Sequence, residues 1–314
     1  MKRVIFLALT AFLVLSVGCA REKPATELTS STLTETSAEA TSEVASAEQS
    51  EASDIPDATT DVPSQKQIYW DDSWQYADFS KIHSSAVTLY YAEKSKAKNI
   101  TVCVNAGHGT RGGSAQKTYC HPDKTPKVTG GSTAKGAVTA TSVNEGMTFL
   151  DGTREADANL SLALLLKDRL LAAGYNVLMI RESEDVQLDN IARTVIANNN
   201  ADCHISIHYD STATDKGLFF IGVPDVASYR AMEPVASHYG QHTALGEALV
   251  KGERSVGVKI FSKGRLDIDL TQTSYSTIPS VDLEVGDKKS DHSEEAQSLI
   301  ADGIVEGTDL YFGK

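Results

Sequence analysis

The chain has 314 residues, of which 41% are hydrophobic and 23% are charged, and its formal net charge is −13. The apolar content is enough to build at least one sizeable core. The negative net charge argues against a nucleic-acid-binding protein, which would usually carry a basic patch. Most of the excess acid lies in residues 20–65, so the charge says little about the folded part.

The first eighteen residues have the organisation of an export signal. Lys2 and Arg3 precede an apolar run from Val4 to Val17, which is too short to span a membrane but suits a signal peptide. Small residues then precede Cys19, and this resembles a bacterial lipoprotein processing site, where the cysteine becomes the lipidated first residue. We therefore predict a lipoprotein signal peptide over residues 1–18 and a membrane anchor at Cys19. The alternative is an ordinary secretory signal with an incidental cysteine.

Residues 20–65 consist mainly of Ser, Thr, Ala and Glu and contain no Phe, Trp or Tyr. Such a segment cannot bury enough apolar surface to offset the entropy lost on ordering. We therefore predict a disordered tether over residues 19–65, with a root-mean-square reach of roughly 35–40 Å. Together with the anchor, this tether would hold the folded part outside the cytoplasm and clear of the membrane surface.

Regular structure is predicted from residue 66 onward, with residues 66–98 as an N-terminal extension and residues 99–314 as the main domain. The predicted strands of the main domain cover 100–104, 175–180, 203–207, 217–223, 257–261 and 280–285. Its predicted helices cover 155–173, 187–199, 226–251 and 293–310. Thr153 and Ser293 suit the N-caps of the first and last helices, and Gly174 suits the end of the first. This alternation predicts an α/β fold, a mostly parallel twisted sheet of about six strands with helices on both faces.

Reactive side chains cluster where the predicted elements begin and end. His108 follows the first strand, His208 follows the third, and Glu155 opens the first helix. Asp282 and Glu284 lie on the last strand. Ligands of open α/β sheets bind beyond the carboxyl ends of the strands. We therefore expect these side chains to meet over one edge of the sheet.

Two histidines and one glutamate are a donor set for catalytic zinc, because three protein ligands leave a fourth position for water. Zinc lowers the pKa of that water towards about 7, and a further carboxylate is then needed to take and return the proton. Taken singly, each residue has another explanation. A histidine at a strand end is often structural, Glu155 would complement the helix dipole, and Glu284 could pair with a lysine.

The chain contains six short motifs near these residues: V-N-A-G-H-G (104–109), E-A-D-A-N-L (155–160), G-Y-N-V (174–177) followed by Arg181, Arg193 followed by Ala197-Asn198, S-I-H (206–208) and E-V-G (284–286). In their order and spacing they resemble the zinc-dependent N-acetylmuramoyl-L-alanine amidases of type 3, from about residue 99 to residue 312. The resemblance implies that His108, Glu155 and His208 bind Zn²⁺ and that Glu284 is the general base. It implies hydrolysis of the amide that joins the lactyl group of N-acetylmuramic acid to L-alanine of the peptidoglycan stem peptide. The sequence identifies no protein activator.

The chain departs from this family pattern in three places. Asn105 replaces the usual aspartate, and Asp287-Lys288-Lys289 follows Gly286 where an aromatic residue and an asparagine are common; both changes bear on substrate contacts more than on the metal. The segment from Thr110 to Gly152 is also long. We predict that it is a lid or substrate-contact loop rather than a free coil. Its apolar end would pack beside Glu155, and carboxylates of the substrate would be attracted by Lys117, Lys124, Lys127 and Lys135.

Other candidate groups are interpreted as structural or supporting. His238 and His242 lie four residues apart on a predicted helix but lack the H-E-x-x-H motif of a metal pair. His204 is expected to be a core histidine. Asp282 shares a strand face with Glu284, so it would either orient a ligand histidine or act as the base in its place.

The three cysteines after the signal region cannot all be paired with one another. Cys103 and Cys203 fall within apolar strands, so we predict buried free thiols rather than a disulfide.

Three other functions fit parts of the sequence. A zinc peptidase acting on the stem peptide would use the same site on another amide. A solute-binding lipoprotein would share the anchor, tether and α/β domain but would not need four reactive side chains at the ends of elements. A wall-binding protein with a decayed site is disfavoured because all four positions are filled.

Overall fold

The computed structural model describes residues 64–314. The predicted signal peptide, Cys19 and nearly all of the predicted tether therefore lie outside the described residues. The boundary of the tether differs slightly from the prediction, because the first strand already begins at Gln65. None of the helices in residues 64–314 combines the length and the apolar character needed to cross a bilayer.

Ten strands are present in this part of the chain. They are β1 (Gln65–Ile68), β2 (Val87–Tyr90), β3 (Thr101–Ala106), β4 (Lys117–Tyr119), β5 (Thr139–Thr141), β6 (Asn176–Met179), β7 (Cys203–Asp210), β8 (Leu218–Gly222), β9 (Ile260–Asp267) and β10 (Ser280–Asp287). Eight of them form one sheet in the order β1-β2-β6-β3-β7-β10-β8-β9, while β4 and β5 pair with each other. The central strands β6, β3, β7 and β10 are all parallel.

The predicted α/β class with a mostly parallel sheet is confirmed, but the sheet has eight strands instead of about six. All six predicted strands are present. The two additional strands, β1 and β2, come from the N-terminal extension and add an antiparallel pair beside β6. They are four residues long, and β1 has only one buried side chain, Ile68, so the sequence carries almost no periodicity to reveal them.

Residues 64–314 also form six α-helices. They are α1 (Glu155–Ala172), α2 (Asn190–Asn200), α3 (Ala227–Arg230), α4 (Val235–Ser255), α5 (Thr271–Tyr275) and α6 (Glu294–Phe312). The largest apolar cluster joins α1, α4 and α6 to one face of the sheet through Val102, Val104 and their neighbours. Cys103 points to the opposite face and packs in a second cluster with α2. Alternate residues of β3 therefore serve two separate cores.

Helix α1 begins at Glu155 as predicted, but the start of α2 and the N-cap of α1 were predicted wrongly. Helix α2 begins three residues later than predicted because Asp189 caps it, accepting a 2.8 Å hydrogen bond from the Ala192 amide. Thr153 does not cap α1; the N-cap residue is Arg154, without a side-chain bond. Instead, the Glu155 amide donates to the Met147 carbonyl. Ser293 does cap α6, as predicted.

Two other elements differ in extent from the prediction. The predicted helix over 226–251 is divided into α3 and α4, and β9 occupies 260–267 rather than 257–261. The prediction of buried free thiols is confirmed, since Cys103, Cys120 and Cys203 are all buried and unpaired within residues 64–314.

Helices α4 and α6 approach each other closely enough for their backbones to touch. Gly252 of α4 faces Gly303 and Gly307 of α6, and a Cβ atom added at Gly307 would lie 2.5 Å from the Leu249 Cα. Because both contacting partners are backbone, neither can move aside without displacing a helix. The glycines therefore set the spacing of this helix pair.

We expect Gly307→Ala to lower the free energy of unfolding by about 1–3 kcal/mol, because the added methyl group overpacks the contact with α4. Gly240→Ala is the matched control, since Gly240 lies on α4 with no atom within 4 Å of the added Cβ. That change should raise stability by about 0.5–1 kcal/mol through helix propensity. Denaturant unfolding measures both, and equal effects of the two substitutions would contradict the close-contact interpretation.

Candidate metal centre

His108, Glu155 and His208 come together at the carboxyl end of the central strands. His108 lies two residues beyond β3, Glu155 is the first residue of α1, and His208 lies near the end of β7. His108 Nε2 is 2.8 Å from Glu155 Oε1, and His208 Nδ1 is 3.1 Å from both of these atoms. The two imidazole rings meet edge to face, with centroids 4.7 Å apart. Three donor atoms therefore surround one point.

Hydrogen bonds from neighbouring backbone fix the orientation of these side chains. His108 Nδ1 lies 2.9 Å from the carbonyl oxygen of Asn144, which can only accept, so Nδ1 carries the proton and Nε2 presents a lone pair to the cluster. Glu155 Oε2 accepts from the Met147 amide at 2.8 Å, and Oε1 accepts from the Tyr209 amide at 3.1 Å. Sequence reasoning missed Asn144 and Met147, because backbone groups leave no signature in residue type.

Two glycines provide the space for the cluster. A Cβ atom at Gly107 would overlap the imidazole of His208, and one at Gly146 would lie 2.8 Å from His108 Cδ2 and 2.9 Å from Glu155 Oε2. Neither position can therefore carry a side chain without moving one of the three clustered residues.

His108 itself has a left-handed backbone with φ of 63°, which is unfavourable for a residue other than glycine. Two buried arginines hold the turn in this conformation. Arg193 donates to Ala106 O, His108 O and Asn105 Oδ1 at 2.6–3.0 Å. Arg181 donates to Gly107 O at 3.0 Å.

Burial lowers the pKa of Arg193 to about 9 and that of Arg181 to about 10, so both remain charged near neutral pH. The motif comparison singled out both arginines without assigning them a role. The apolar context of Arg193, between Ala192 and Thr194-Val195-Ile196, was the available signal that its side chain is buried.

Asn105 belongs to the same network and not to a substrate-contacting surface. It is buried, donates to Ser206 Oγ at 2.6 Å and accepts from Arg193. An amide can donate and accept in this position, whereas a carboxylate could only accept. The departure from the family pattern at this residue therefore affects support for the turn.

Asp282 and Glu284 lie on the strand next to His208 and point to the same face of the sheet. Glu284 pairs in register with His208, and Asp282 pairs with Ser206. Asp282 Oδ2 is 3.8 Å from His208 Nε2, the imidazole nitrogen that faces away from the cluster. One buried oxygen of each carboxylate, Asp282 Oδ1 and Glu284 Oε2, has no hydrogen-bond partner in the described part of the chain. Two carboxylates with spare acceptor capacity thus lie beside the three clustered residues.

The site shifts the pKa values of these groups in different directions. Burial alone would raise the pKa of Glu155, but the adjacent imidazoles of His108 and His208 outweigh it and hold the pKa well below its usual range. Burial would lower the pKa of His208, yet Asp282 and Glu155 raise it to about 9. Burial, reinforced by the Asp282 carboxylate, raises the pKa of Glu284. Glu155 is therefore held as an anion, while Glu284 has an increased affinity for a proton.

The clustered donors fit a zinc ion. Zinc takes imidazole nitrogen and carboxylate oxygen at about 2.0–2.2 Å in a tetrahedral arrangement, which spaces the ligand atoms roughly 3.3 Å apart. The separations of 2.8–3.1 Å between His108 Nε2, His208 Nδ1 and Glu155 Oε1 need only a small outward shift to reach that spacing. In residues 64–314, this is the only group of three or more such side chains close enough to hold one ion.

The other histidines take no part in this cluster. His242 is buried and accepts a 3.0 Å hydrogen bond from the Ser280 amide, while His238 donates to the carbonyl of Pro234. His204 is fully buried, as predicted for a core histidine, but neither of its ring nitrogens has a partner within residues 64–314. We have no physical account of that isolation.

The segment from Thr110 to Gly152 is folded over the domain and is not a free coil. Strands β4 and β5 form a hairpin within it. Asp269, which is fully buried, binds its middle part by accepting from His121 Nε2, Lys127 Nζ and the Val128 amide. Lys127 is therefore unavailable for substrate carboxylates, contrary to the prediction.

The end of this segment lies against the cluster, as predicted from its apolar residues. Phe149 is buried and packs on Tyr209, whereas Leu150 is 68% exposed. The Leu150 amide donates to the carbonyl of Lys288. The end of the long segment is therefore hydrogen-bonded to the residues that follow Glu284, and it borders the site.

Comparisons with known proteins agree with this geometry. The family described as N-acetylmuramoyl-L-alanine amidase, type 3, matches residues 102–309. The structure is similar to the amidase Ami1 from Mycobacterium smegmatis, with a TM-score of 0.56 and 19% identity over 69% of this chain and 98% of that one. It is also similar to Ami1 from Mycobacterium abscessus, with a TM-score of 0.52 and 20% identity over 69% and 99% of the two chains. At these identities the structures share a fold.

A comparison with curated protein sequences finds no match. The family assignment therefore depends on the match over residues 102–309, which covers more than half of the chain. This chain belongs to the type 3 N-acetylmuramoyl-L-alanine amidases, a family of peptidoglycan hydrolases.

Proposed function

We propose that this protein is a zinc-dependent amidase that cleaves the bond between N-acetylmuramic acid and L-alanine of the stem peptide. The convergence of His108, Glu155 and His208, with donor atoms 2.8–3.1 Å apart, carries this proposal. Membership of the amidase family favours it over a stem-peptide peptidase, which would need the same metal ligands. A solute-binding or decayed wall-binding lipoprotein would have no use for this complete set of reactive side chains.

His108 Nε2, His208 Nδ1 and Glu155 Oε1 would hold the ion. Bound zinc would polarise the scissile carbonyl group and lower the pKa of a water molecule. Asn144 would keep the imidazole of His108 in the required tautomer through its carbonyl group. Asp282 would do the same for His208, because its carboxylate lies on the Nε2 side of the ring at 3.8 Å.

Glu284 would act as the general base. Its carboxylate would accept a proton from the attacking water and return it to the amide nitrogen of L-alanine as that group leaves. Its raised pKa suits this exchange, because a carboxylate that binds a proton more tightly is a stronger base. The carboxylate of Asp282 lies beside the imidazole of His208 and would interact with it. We therefore assign Asp282 the role of orienting His208.

We also propose that the enzyme is exported and held at the outer face of the cell membrane by a lipid on Cys19. The sequence of residues 1–18 supports this location, and peptidoglycan as substrate is compatible with it. The predicted tether would then let the catalytic domain reach the wall from its anchor.

The first expectation concerns the metal. The purified protein should bind about one zinc ion per chain, and His108→Ala should abolish this binding because one of three ligands is lost. His238→Ala is the control, since His238 lies outside the cluster and, within residues 64–314, its side chain hydrogen-bonds only to the Pro234 carbonyl. Metal analysis after dialysis measures both. Full zinc occupancy in His108→Ala would show that the assigned site is wrong.

The second expectation concerns the base and the bond. Glu284→Gln keeps the shape of the side chain but cannot accept a proton, so turnover should fall by about 10²–10⁴-fold with zinc binding retained. Mass analysis of digested peptidoglycan should show intact stem peptides and uncut glycan from the unmodified protein. Near-normal turnover by Glu284→Gln would transfer the role to Asp282. Shortened stem peptides among the products would indicate a peptidase.

The third expectation concerns location. Cys19→Ala removes the sulfur that would carry the lipid, so the protein should move from the membrane to the soluble fraction or stay unprocessed. Fractionation with an antibody to the catalytic domain tests this. The same membrane association in both proteins would argue against lipidation at Cys19.

A further inference from the structure

A cavity of about 560 Å³ lies between helix α4 and the edge strand β9, within the size range of small-ligand sites. It contains none of the residues assigned to catalysis. Phe220, in its lining, pairs in register with Leu283, whereas Phe219 pairs with Glu284. Because successive strand residues point to opposite faces, the cavity and Glu284 lie on opposite faces of the sheet.

An irregularity in β9 shapes this cavity. The register jumps from the pair Leu218 and Ile260 to the pair Phe220 and Arg265, so β9 carries extra residues that β8 does not match. Within this bulge, Ser262 has φ of 50° and Gly264 has φ of 84°. A serine with positive φ is strained, and such strain often occurs at functional sites. The bulge places Ser262 and Lys263 in the cavity wall.

The cavity is basic although the protein as a whole is acidic, with a net charge of −13. Four cationic side chains line it: Lys251, Arg254, Lys263 and Arg265. Arg265 pairs with Asp267, but the other three cations form no ion pair within the described residues. Glu247 is the other acidic residue in the lining. Unpaired cations beside one carboxylate leave a positive site for an anionic ligand.

We propose that this cavity binds the carboxylates of a peptidoglycan stem peptide, as a second contact with the polymer outside the catalytic centre. The inference rests on the proposed function, because that function makes peptidoglycan the substrate. Lysine and arginine suit carboxylates, and the exposed apolar side chain of Leu266 suits the methyl groups of alanine. A phosphate-bearing wall polymer would use the cations alone and would leave this apolar surface without a role.

Such a contact would strengthen the binding of polymeric peptidoglycan but not of a small fragment. A peptidoglycan chain held at the cavity stays near the catalytic centre after one amide bond has been cut. This raises the effective concentration of the next amide bond. Binding at the cavity should therefore lower the KM for intact sacculi without changing kcat.

Co-sedimentation of the full chain with sacculi freed of phosphate-containing polymers tests the assignment. The double variant Lys251→Glu/Lys263→Glu reverses two cavity charges and leaves the catalytic residues untouched. Lys66→Glu/Lys94→Glu is the matched control, because both lysines are exposed, form no ion pair in residues 64–314 and lie in the N-terminal extension. We expect the cavity variant to bind about tenfold more weakly and the control to bind within about twofold of the unmodified protein.

Three results would overturn the assignment. The cavity variant could bind stripped sacculi as tightly as the unmodified protein does. Its defect could be the same on glycan strands from which the stem peptides have been removed. The defect could also be confined to sacculi that still carry phosphate polymers, which would make those polymers the ligand. Failure of the proposed function would be recognised separately, as absence of stem-peptide release by the unmodified protein, because sedimentation requires no turnover.

Discussion

The turn after β3 is held by two charged groups buried in the protein interior, and the geometry of the site depends on them. The left-handed backbone at His108 turns successive carbonyl groups away from the strand ladder. A buried carbonyl without a partner costs about 1–3 kcal/mol. Arg193 and Arg181 supply fixed arrays of donors to the carbonyls of Ala106, Gly107 and His108. Neither arginine forms an ion pair within residues 64–314, so their hydrogen bonds to the turn must offset much of the cost of burial.

The cluster of His108, Glu155 and His208 extends this constraint from the backbone to side chains. The three side chains come from segments that are distant in sequence. His108 and His208 follow or end the adjacent strands β3 and β7, and Glu155 begins helix α1. Asn144 and Met147, from the end of the long segment, bond to the outer atoms of His108 and Glu155. That segment is itself fixed to the domain through Asp269. It therefore supports the three clustered residues, and any role as a lid would involve only its exposed parts.

The two faces of the sheet have different chemical characters. One face packs α1, α4 and α6 through aliphatic side chains and close glycine contacts. The other carries a polar row in register, formed by Asn105, Ser206 and Asp282 on three adjacent strands. The apolar face provides a rigid base, while the polar row leads from Arg193 to the carboxylates beside His208. The polar row thus shares its face with the second apolar cluster, which includes α2, while Glu155 reaches the site from α1 on the opposite face.

The sequence by itself determined the fold class and the identity of the clustered residues. Alternating strands and helices specified an α/β sheet, and its parallel central strands must bring His108 and His208 to one edge, because the carboxyl ends of parallel strands coincide. Only the tertiary structure decided the features that depend on distant backbone. The caps of α1 and α2, the edge strands β1 and β2, and the hydrogen bonds from Asn144 and Met147 all arise where one segment meets another. The residue type shows which side chains can donate or accept a hydrogen bond. It does not show which backbone groups will need a side-chain partner, because that depends on how the chain folds.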